Sequence, residues 1–251
     1  MNILVVNDDG IHSPGFAALV KGLSGKGDIY VCAPDGQRSA KSHSITLGQP
    51  VMIEKVDFPG AKEAYIASGT PADCTKIGLQ FFGEKGIFID MVYSGINMGS
   101  NLGRDTLYSG TVGAAAEGAL NGVHSVAVSV DDHDAVYFDT AAKLAAAAAD
   151  LMVGKLDKSV VLNINVPNLP AEEIKGIKYL PLSGRRYYDD KFHPVEGNHY
   201  ALSGQPSAAW EGAQEADMDA AEAGYAVITP LQFDFTDYES LETIKKWSFS
   251  L

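Results

Sequence analysis

Two adjacent carboxylates, Asp8 and Asp9, stand directly after the first apolar stretch of this 251-residue sequence. That stretch, residues 3–6, is short and rich in β-branched residues, which predicts a buried strand. Open α/β sheets bind ligands at the carboxyl ends of their strands. Neighbouring side chains of a strand point to opposite faces, so the chain must turn at Gly10 for both carboxylates to reach one ligand. The alternative is that the pair only initiates a turn and helps to cap the next helix.

Three further polar loops lie at the ends of predicted strands or at the start of a helix: residues 38–40, 95–101 and 109–111. Loops that follow parallel strands emerge at one edge of the sheet, so the first turn and the loops at 38–40 and 95–101 are expected to meet in one crevice. They offer two carboxylates, the hydroxyl of Ser39 and the carboxamide of Asn97. This all-oxygen set suits Mg²⁺, Mn²⁺ or Ca²⁺, whereas zinc would more often recruit His or Cys.

The fourth loop, Ser109-Gly110-Thr111, opens a predicted alanine-rich helix. A helix N-terminus presents free N–H groups and the positive end of its dipole. Gly110 would let an anion approach the backbone, and the flanking hydroxyls would donate further hydrogen bonds. A helix start of this kind next to a metal ion is typical of a phosphate-binding site. The alternative is that Ser109 or Thr111 serves only as an N-cap.

Other polar residues have weaker patterns. His43, in a serine-rich loop, is a candidate donor to a leaving group or phosphate, or simply a polar loop residue, and Asn101 is a further candidate substrate contact. The cluster at residues 131–134 resembles a metal box, but we interpret it as the cap of the following helix. Residues 185–188 (Arg-Arg-Tyr-Tyr) would contact an anionic or aromatic part of a ligand, or pack at the surface.

The composition limits the classes of partner. A net charge of −13 and a pI near 4.8 argue against a nucleic-acid polymer, but a small phosphorylated ligand is compatible if a metal ion reverses the local charge. The two cysteines, Cys32 and Cys74, lie in apolar settings and are expected to be buried free thiols. No signal peptide is visible, and the apolar run at 141–149 is too short to span a bilayer. We therefore expect a cytoplasmic protein with no membrane partner.

Strands and helices alternate up to residue 166, which predicts one doubly wound α/β domain with a mainly parallel sheet over residues 1–251. Its core covers about 1–180 and 225–232, with a less regular insertion at about 184–224, which holds hairpins or a flap, and a C-terminal arm at about 233–251. In that arm, Asp237 is expected to cap a final helix. The predicted strands are residues 3–6, 29–33, 51–56 and 64–67 (a hairpin), 91–94, 125–129, 160–166 and 225–229. The predicted helices are residues 16–23, 71 to about 82, 111 to about 121, and 135 to about 156.

The sequence resembles the SurE family of stationary-phase survival proteins. The resemblance covers nearly the whole chain and is weakest at 184–224. The matching motifs occur in order: Asn7-Asp8-Asp9-Gly10 with Pro14-Gly15, Ala33-Pro34-Asp35 with Arg38-Ser39, Ser44-Ile45-Thr46-Leu47, Gly69-Thr70-Pro71-Ala72-Asp73-Cys74, Ser94 to Gly103, Tyr108-Ser109-Gly110-Thr111-Val112, Asn163 to Pro167, and Ile228 to Gln232.

This resemblance implies a Rossmann-like core and a C-terminal extension exchanged between the subunits of a homodimer or homotetramer. It also implies a metal-dependent phosphatase of nucleoside monophosphates, a 5′(3′)-nucleotidase. The implied metal ligands are Asp8, Asp9, Ser39 and Asn97. The implied phosphate-binding residues are Asn97, Ser109, Gly110 and Thr111. The chain departs from the pattern at Lys41 and Ser42, where many members carry small residues.

We therefore expect metal-assisted attack of water on a phosphate monoester, with Asp8 or Asp9 positioning the water or accepting its proton. A covalent route, in which an aspartate attacks phosphorus, is an open alternative. A second alternative is a sensor that binds nucleotides without hydrolysis. A dinucleotide-dependent oxidoreductase is disfavoured, because the first turn lacks G-x-G-x-x-G.

Overall fold

The computed structural model describes residues 1–184, 188–206 and 215–249. Within those ranges the strands are β1 (Asn2–Val6), β2 (Asp28–Pro34), β3 (Ile53–Val56), β4 (Glu63–Ala67), β5 (Met91–Met98), β6 (His124–Asp131), β7 (Val161–Pro167), β8 (Ile177–Tyr179), β9 (Tyr188–Pro194), β10 (Tyr200–Pro206) and β11 (Ala226–Leu231). The helices are α1 (Pro14–Gly22), α2 (Pro71–Glu84), α3 (Gly110–Leu120), α4 (Asp139–Met152), α5 (Asp217–Glu222) and α6 (Tyr238–Ile244), with a 3-10 helix at Gly103–Tyr108.

Nine strands form one sheet in the order β3-β4-β2-β1-β5-β6-β7-β11-β8. The six strands from β4 to β7 in this order are parallel. Strand β3 pairs antiparallel with β4, which confirms the predicted hairpin, and β11 pairs antiparallel with β7. This topology confirms the predicted Rossmann-like, mainly parallel α/β fold.

Helices cover both faces of the sheet, which explains why its central strands are continuous apolar runs. Helices α1 and α4 pack together on one face, and α2 and α3 pack together on the other. Residues 3–6 of β1 are fully buried between these layers. The two cysteines are buried and free, as expected. Because β2, β1, β5 and β6 are adjacent parallel strands, their carboxyl ends lie side by side at the same end of the sheet.

The starts of α1, α2 and α6 are each capped by a nearby side chain, and the predicted cap at Asp237 is confirmed. Ser13 accepts from the backbone N–H of Phe16, and Pro14 occupies the first turn of α1. Thr70 and Asp73 form a reciprocal capping box at the start of α2. Asp237 caps α6. Each of these caps depends on residues within four positions of one another, which is why the sequence alone reveals them.

The prediction that residues 95–101 form a loop is wrong in its first part, because β5 continues to Met98. The pairing of β5 with β6 shifts register between Ser94 and Asn97, as at a β-bulge. Gly95 has φ +130°, and a Cβ there would stand 2.3 Å from the backbone oxygen of Val128. Glycine at this point lets β5 shift its register and still present Asn97 near the end of the strand.

The interpretation of residues 131–134 as a helix cap is also wrong. Helix α4 begins at Asp139 rather than at 135, and its N-cap is Phe138, without a side-chain hydrogen bond. Instead, Asp132 accepts from Asn168 Nδ2 at 2.8 Å, and the backbone N–H groups of Val136 and Tyr137 donate to Asn168 Oδ1. A residue beyond β7 thus holds this segment in a loop. The helix ends at Met152, earlier than expected, because Val153 is extended.

The insertion at 184–224 contains the antiparallel hairpin β9–β10 and the short helix α5. The loose pattern of residues 184–224 does not predict α5, and strand β8 is likewise absent from the predicted strands. Residues 185–187 of the proposed contact at 185–188 lie outside the described residues. No helix in the described part of the chain is long and apolar enough to cross a membrane.

Candidate active site

The turn after β1 is shaped by Asn7, whose side chain is fully buried. Its amide Nδ2 donates to the backbone oxygen of Gly10 at 2.8 Å and to Ser13 Oγ at 3.1 Å. Gly10 has φ +91°, and a Cβ there would stand 3.1 Å from the backbone of Gly36. Glycine is therefore required both by the conformation and by the close approach of the next loop.

Asp8 lies buried against the first turn of α3. Its Oδ1 accepts from the hydroxyl of Thr111 at 2.5 Å, and a Cβ on Gly110 would stand 2.9 Å from its Oδ2. Burial raises the pKa of Asp8 to about 6, the Thr111 hydroxyl opposes that rise, and repulsion from Asp9 adds to it. The predicted phosphate-binding helix start is thus in direct contact with the first carboxylate.

Asp9 faces the neighbouring strand. Its Oδ2 accepts from the backbone N–H of Met98, at the end of β5, at 3.2 Å. Burial raises the pKa of Asp9 above its ordinary value, while this N–H and the nearby His133 oppose the rise. The turn therefore directs the two carboxylates to different elements, with Asp8 toward α3 and Asp9 toward β5.

Ser39 and Asn97 are brought to the same edge. The backbone N–H of Arg38 donates to the backbone oxygen of Asp8 at 2.6 Å, which places the exposed Ser39 beside the first turn. Asn97 Nδ2 donates to the backbone oxygen of Gly99 at 2.6 Å. Because the amide nitrogen is used in this way, Oδ1 is the atom of Asn97 available to a cation.

Ser109 is the N-cap of α3, since its Oγ accepts from the backbone N–H of Val112 at 3.0 Å. The capping role that the sequence left open is therefore present. It does not remove the other N–H groups of the first turn, which remain characteristic of an anion-binding helix start. The other three loops singled out in the sequence thus contact Asp8 or Asp9 through their own backbone or side chains.

His43 is held along α3 rather than free in its loop. Its Nε2 donates to Glu117 Oε2 at 2.9 Å, and its Cα would stand 2.9 Å from a Cβ on Gly113. Gly113 is one helical turn beyond Gly110, which touches Asp8. His43 therefore approaches α3 one turn along the helix from the carboxylates, with one of its ring nitrogens committed to Glu117.

Asn101 lies inside the fold and is only 6% exposed. Its Nδ2 donates to Ser129 Oγ at 2.7 Å, and its backbone oxygen accepts from the side-chain amides of Asn163 and Asn165. Asp217 holds the same loop two residues later by accepting from the backbone N–H of Gly103 at 2.8 Å. The structure thus places the Asn101 side chain in the support of the loop, behind the surface that a substrate would reach.

His133 belongs to the cluster at residues 131–134, which we interpret from the sequence as a helix cap and not as part of the site. Its ring lies against Gly99, where a Cβ would stand 2.8 Å from His133 Cε1, and it is close enough to oppose the raised pKa of Asp9. Residues 131–134 follow β6, which adjoins β5 in the parallel sheet. The strand-end rule that singled out the other loops would have included this one.

A cleft of about 290 Å³ opens beside Asp9. It is lined by residues 9–14 on one side, by residues 35–37 on the other, and by Met98. A larger groove of about 880 Å³ lies between α1 and α4, and its lining includes none of the polar strand-end residues. Fold and site together define a Rossmann-like α/β protein in which oxygen-bearing side chains gather at the carboxyl ends of the parallel strands, where proteins of this class bind ligands.

Comparisons with known proteins identify the family to which the chain belongs. The family model described as "Survival protein SurE" matches residues 3–189. The chain is 43% identical to the 5′-nucleotidase SurE of Clostridium beijerinckii, with 98% of each protein aligned, and 41% identical to that of Petrotoga mobilis, covering 98% of this chain and 99% of the relative. The structure is similar to that of the SurE protein from Aquifex aeolicus, with a TM-score of 0.83, 36% identity and 98% of each chain covered. The chain belongs to the SurE family.

Proposed function

We propose that this protein is a 5′-nucleotidase that hydrolyses nucleoside 5′-monophosphates, and 3′-monophosphates as a second class, to nucleoside and phosphate. The observation that carries the proposal is the convergence of Asp8, Asp9 and Asn97 with the start of α3. Full-length relatives at 40–43% identity bear the name 5′-nucleotidase SurE, which supports the same reaction.

The donor set fits one divalent cation per subunit, Mg²⁺ or Mn²⁺, held by Asp8, Asp9, Asn97 and Ser39. All four side chains supply oxygen, and the two carboxylates balance the charge of the ion. The raised pKa values of Asp8 and Asp9 support this assignment, because buried neighbouring carboxylates are stabilised in their charged form by a cation. Such an ion would polarise the phosphoryl group and acidify the attacking water.

Each group of site residues has its own role in the proposed reaction. Asp8 or Asp9 orients the water and accepts its proton. The N–H groups at the start of α3, with Ser109 and Thr111, hold the phosphoryl oxygens as negative charge develops on them. Asn97 would offer its Oδ1 to the cation or to the phosphate, since its Nδ2 is bound to Gly99 and the next residue, Met98, donates to Asp9. In the covalent alternative an aspartate attacks phosphorus, and acid quenching would then trap a phosphoaspartate.

The experiment is a phosphate-release assay on a panel of nucleoside 5′- and 3′-monophosphates with EDTA, Mg²⁺ or Mn²⁺. We expect release from the 5′-monophosphates that EDTA abolishes and that both Asp8→Asn and Asp9→Asn reduce at least about 100-fold. Saturable nucleotide binding without release under any metal condition would reject the enzyme in favour of a nucleotide sensor. Undiminished release in EDTA would reject the metal assignment alone.

We further propose that the C-terminal arm packs on a second copy of the chain, giving a homodimer or homotetramer. Helix α6 has no buried residue, and Phe235, Trp247 and Phe249 are 80%, 58% and 78% exposed. We expect the double variant Phe235→Glu/Trp247→Glu to lower the molar mass in sedimentation velocity to that of one chain. Lys246→Glu, on the same arm, is the control and should keep the wild-type mass. A single-chain mass for the wild type would contradict the proposal.

A further inference from the structure

Glu117 is a carboxylate buried within α3, with only 5% of the residue exposed. Its Oε1 accepts from Lys76 Nζ at 2.8 Å and from Asn121 Nδ2 at 2.9 Å, and its Oε2 accepts from His43 Nε2 at 2.9 Å. Burial alone would raise the pKa of Glu117, but these hydrogen bonds together hold it below its ordinary value. A buried charge is tolerated only when it is paired in this way, so the three donors and the carboxylate form one unit.

His43 links this unit to the loop that carries Ser39. Two residues of that loop other than glycine, Ala40 and Ser42, have φ +54°. Left-handed backbone of this kind persists only where surrounding contacts enforce it. The backbone N–H of Ser42 donates to the backbone oxygen of Tyr108 at 3.0 Å, and the Ser42 hydroxyl donates to the backbone oxygen of Leu107 at 2.6 Å. The bond from His43 to Glu117 adds a side-chain contact to α3, directly after this strained turn.

One face of α3 brings the parts together. Gly110, Gly113 and Glu117 follow one another at spacings of three and four residues, so they lie on the same side of the helix. A Cβ on Gly110 would meet Asp8, and a Cβ on Gly113 would stand 2.4 Å from the backbone oxygen of Ser42. The first carboxylate, the Ser39 loop and Glu117 are therefore arranged along a single helix face.

We propose that Glu117 is a positioning residue, which fixes the loop at residues 38–46 against α3 through His43 and so sets where Ser39 stands relative to Asp8 and Asp9. Glu117 lies about two turns from the start of α3 and acts on the site only through this loop. The consequence for metal binding and catalysis rests on the proposed function, whereas the effect on the loop itself does not.

The test compares Glu117→Ala, Glu117→Gln, His43→Ala and the double variant Glu117→Ala/His43→Ala. In the metal-free proteins, we expect amide hydrogen exchange of residues 38–46 to be about tenfold faster in both alanine variants. The Mn²⁺ dissociation constant, measured by electron paramagnetic resonance, should rise about tenfold in both. Glutamine keeps one acceptor oxygen for Lys76 and Asn121, and its amide can donate to His43 Nε2 when the imidazole is in its other neutral tautomer. Glu117→Gln should therefore restore nearly wild-type values.

Lys76→Met is the matched control, because Lys76 Nζ donates to the same carboxylate and, within the described part of the chain, forms no hydrogen bond with residues 38–46. It is expected to lower thermal stability while leaving loop exchange and Mn²⁺ affinity near the wild type. The double variant should have the same loop exchange and Mn²⁺ affinity as Glu117→Ala, since both substitutions remove the same hydrogen bond between His43 and Glu117. If Glu117→Ala does not fold, His43→Ala carries the test, because Glu117 then keeps Lys76 and Asn121.

Three results would overturn the proposal. The first is unchanged hydrogen exchange of residues 38–46 in His43→Ala, and the second is an exchange rate in the double variant that combines the increases of both single variants. The third is an increase in loop exchange and in the Mn²⁺ dissociation constant in Lys76→Met equal to that in Glu117→Ala. Hydrogen exchange separates this proposal from the proposed function. Faster loop exchange in a protein that releases no phosphate would sustain the role of Glu117 and reject the nucleotidase. Normal activity with unaltered exchange in the variants would do the reverse.

Discussion

Asp8→Asn is expected to abolish nucleotide hydrolysis and, in metal-free protein at pH 7, to raise the stability of the fold. The pKa of Asp8 is about 6 in the folded protein against an ordinary 3.8, chiefly because the carboxylate is buried. Each pKa unit corresponds to about 1.4 kcal/mol, so the ionised carboxylate lowers the free energy of unfolding by roughly 2–3 kcal/mol. Asparagine keeps an acceptor for Thr111 and carries no charge.

The sign follows from proton uptake. Between about pH 4 and 6 the folded state binds the proton of Asp8 while the unfolded state has released it, so stability falls as pH rises through this window. In Asp8→Asn that contribution to the slope is absent. Near neutral pH its melting temperature should exceed that of the wild type by roughly 5–10 °C.

Differential scanning calorimetry in EDTA between pH 4 and 8 provides the measurement. Asp57→Asn, at an exposed position, is the control and should follow the wild-type curve. Added Mn²⁺ should stabilise the wild type and leave Asp8→Asn almost unchanged, since the ion binds the folded carboxylates. A less stable Asp8→Asn protein, or one with the wild-type pH slope, would contradict the conclusion that burial of the ionised Asp8 carboxylate destabilises the fold.

Gly15→Ala is expected to destabilise the protein by about 3 kcal/mol or more. A Cβ on Gly15 would stand 2.1 Å from the backbone oxygen of Ile96, a contact that no side-chain rotation relieves. Helix α1 and strand β5 must therefore move apart. Ile96 precedes Asn97, so the displacement reaches the site, and the folded fraction should also lose nucleotidase activity.

Urea unfolding measures the change, with Gly83→Ala as the control. Gly83 lies in α2, and a Cβ added there would have no neighbour within 4 Å, so alanine should leave stability equal or up to about 1 kcal/mol higher. Equal stabilities for the two variants would show that the approach of α1 to β5 is not a limiting contact.

The predictable parts of this fold are those decided by neighbouring residues. The capped starts of α1 and α2 and the buried run of β1 follow from a few adjacent side chains. The predicted β5 is too short because Gly95 to Met98 has the composition of a loop, and only its partner β6 makes it a strand. The predicted start of α4 is too early because Asn168, 31 residues from Tyr137, holds the preceding segment.

The same distinction applies to the site. The rule that parallel strands end at one edge is enough to bring Asp8, Asp9 and Asn97 together, and the family resemblance implies the same ligands. The positions of His43 and Glu117 depend on a contact between residues 74 positions apart. No local pattern carries that information, and the structure alone relates the loop to the helix.

The glycine-lined face of α3 also bears on the order of folding. Three of the eleven residues of this helix are glycines, each of which lowers intrinsic helicity by about 1 kcal/mol relative to alanine when it is inside the helix. A peptide of this length and composition would not be helical in isolation. Helix α3 must therefore be stabilised by its packing against the sheet and α2, and the helix start proposed to bind phosphate forms only together with that packing. A partly folded chain would have the carboxylates of the first turn but lack the helix that completes their site.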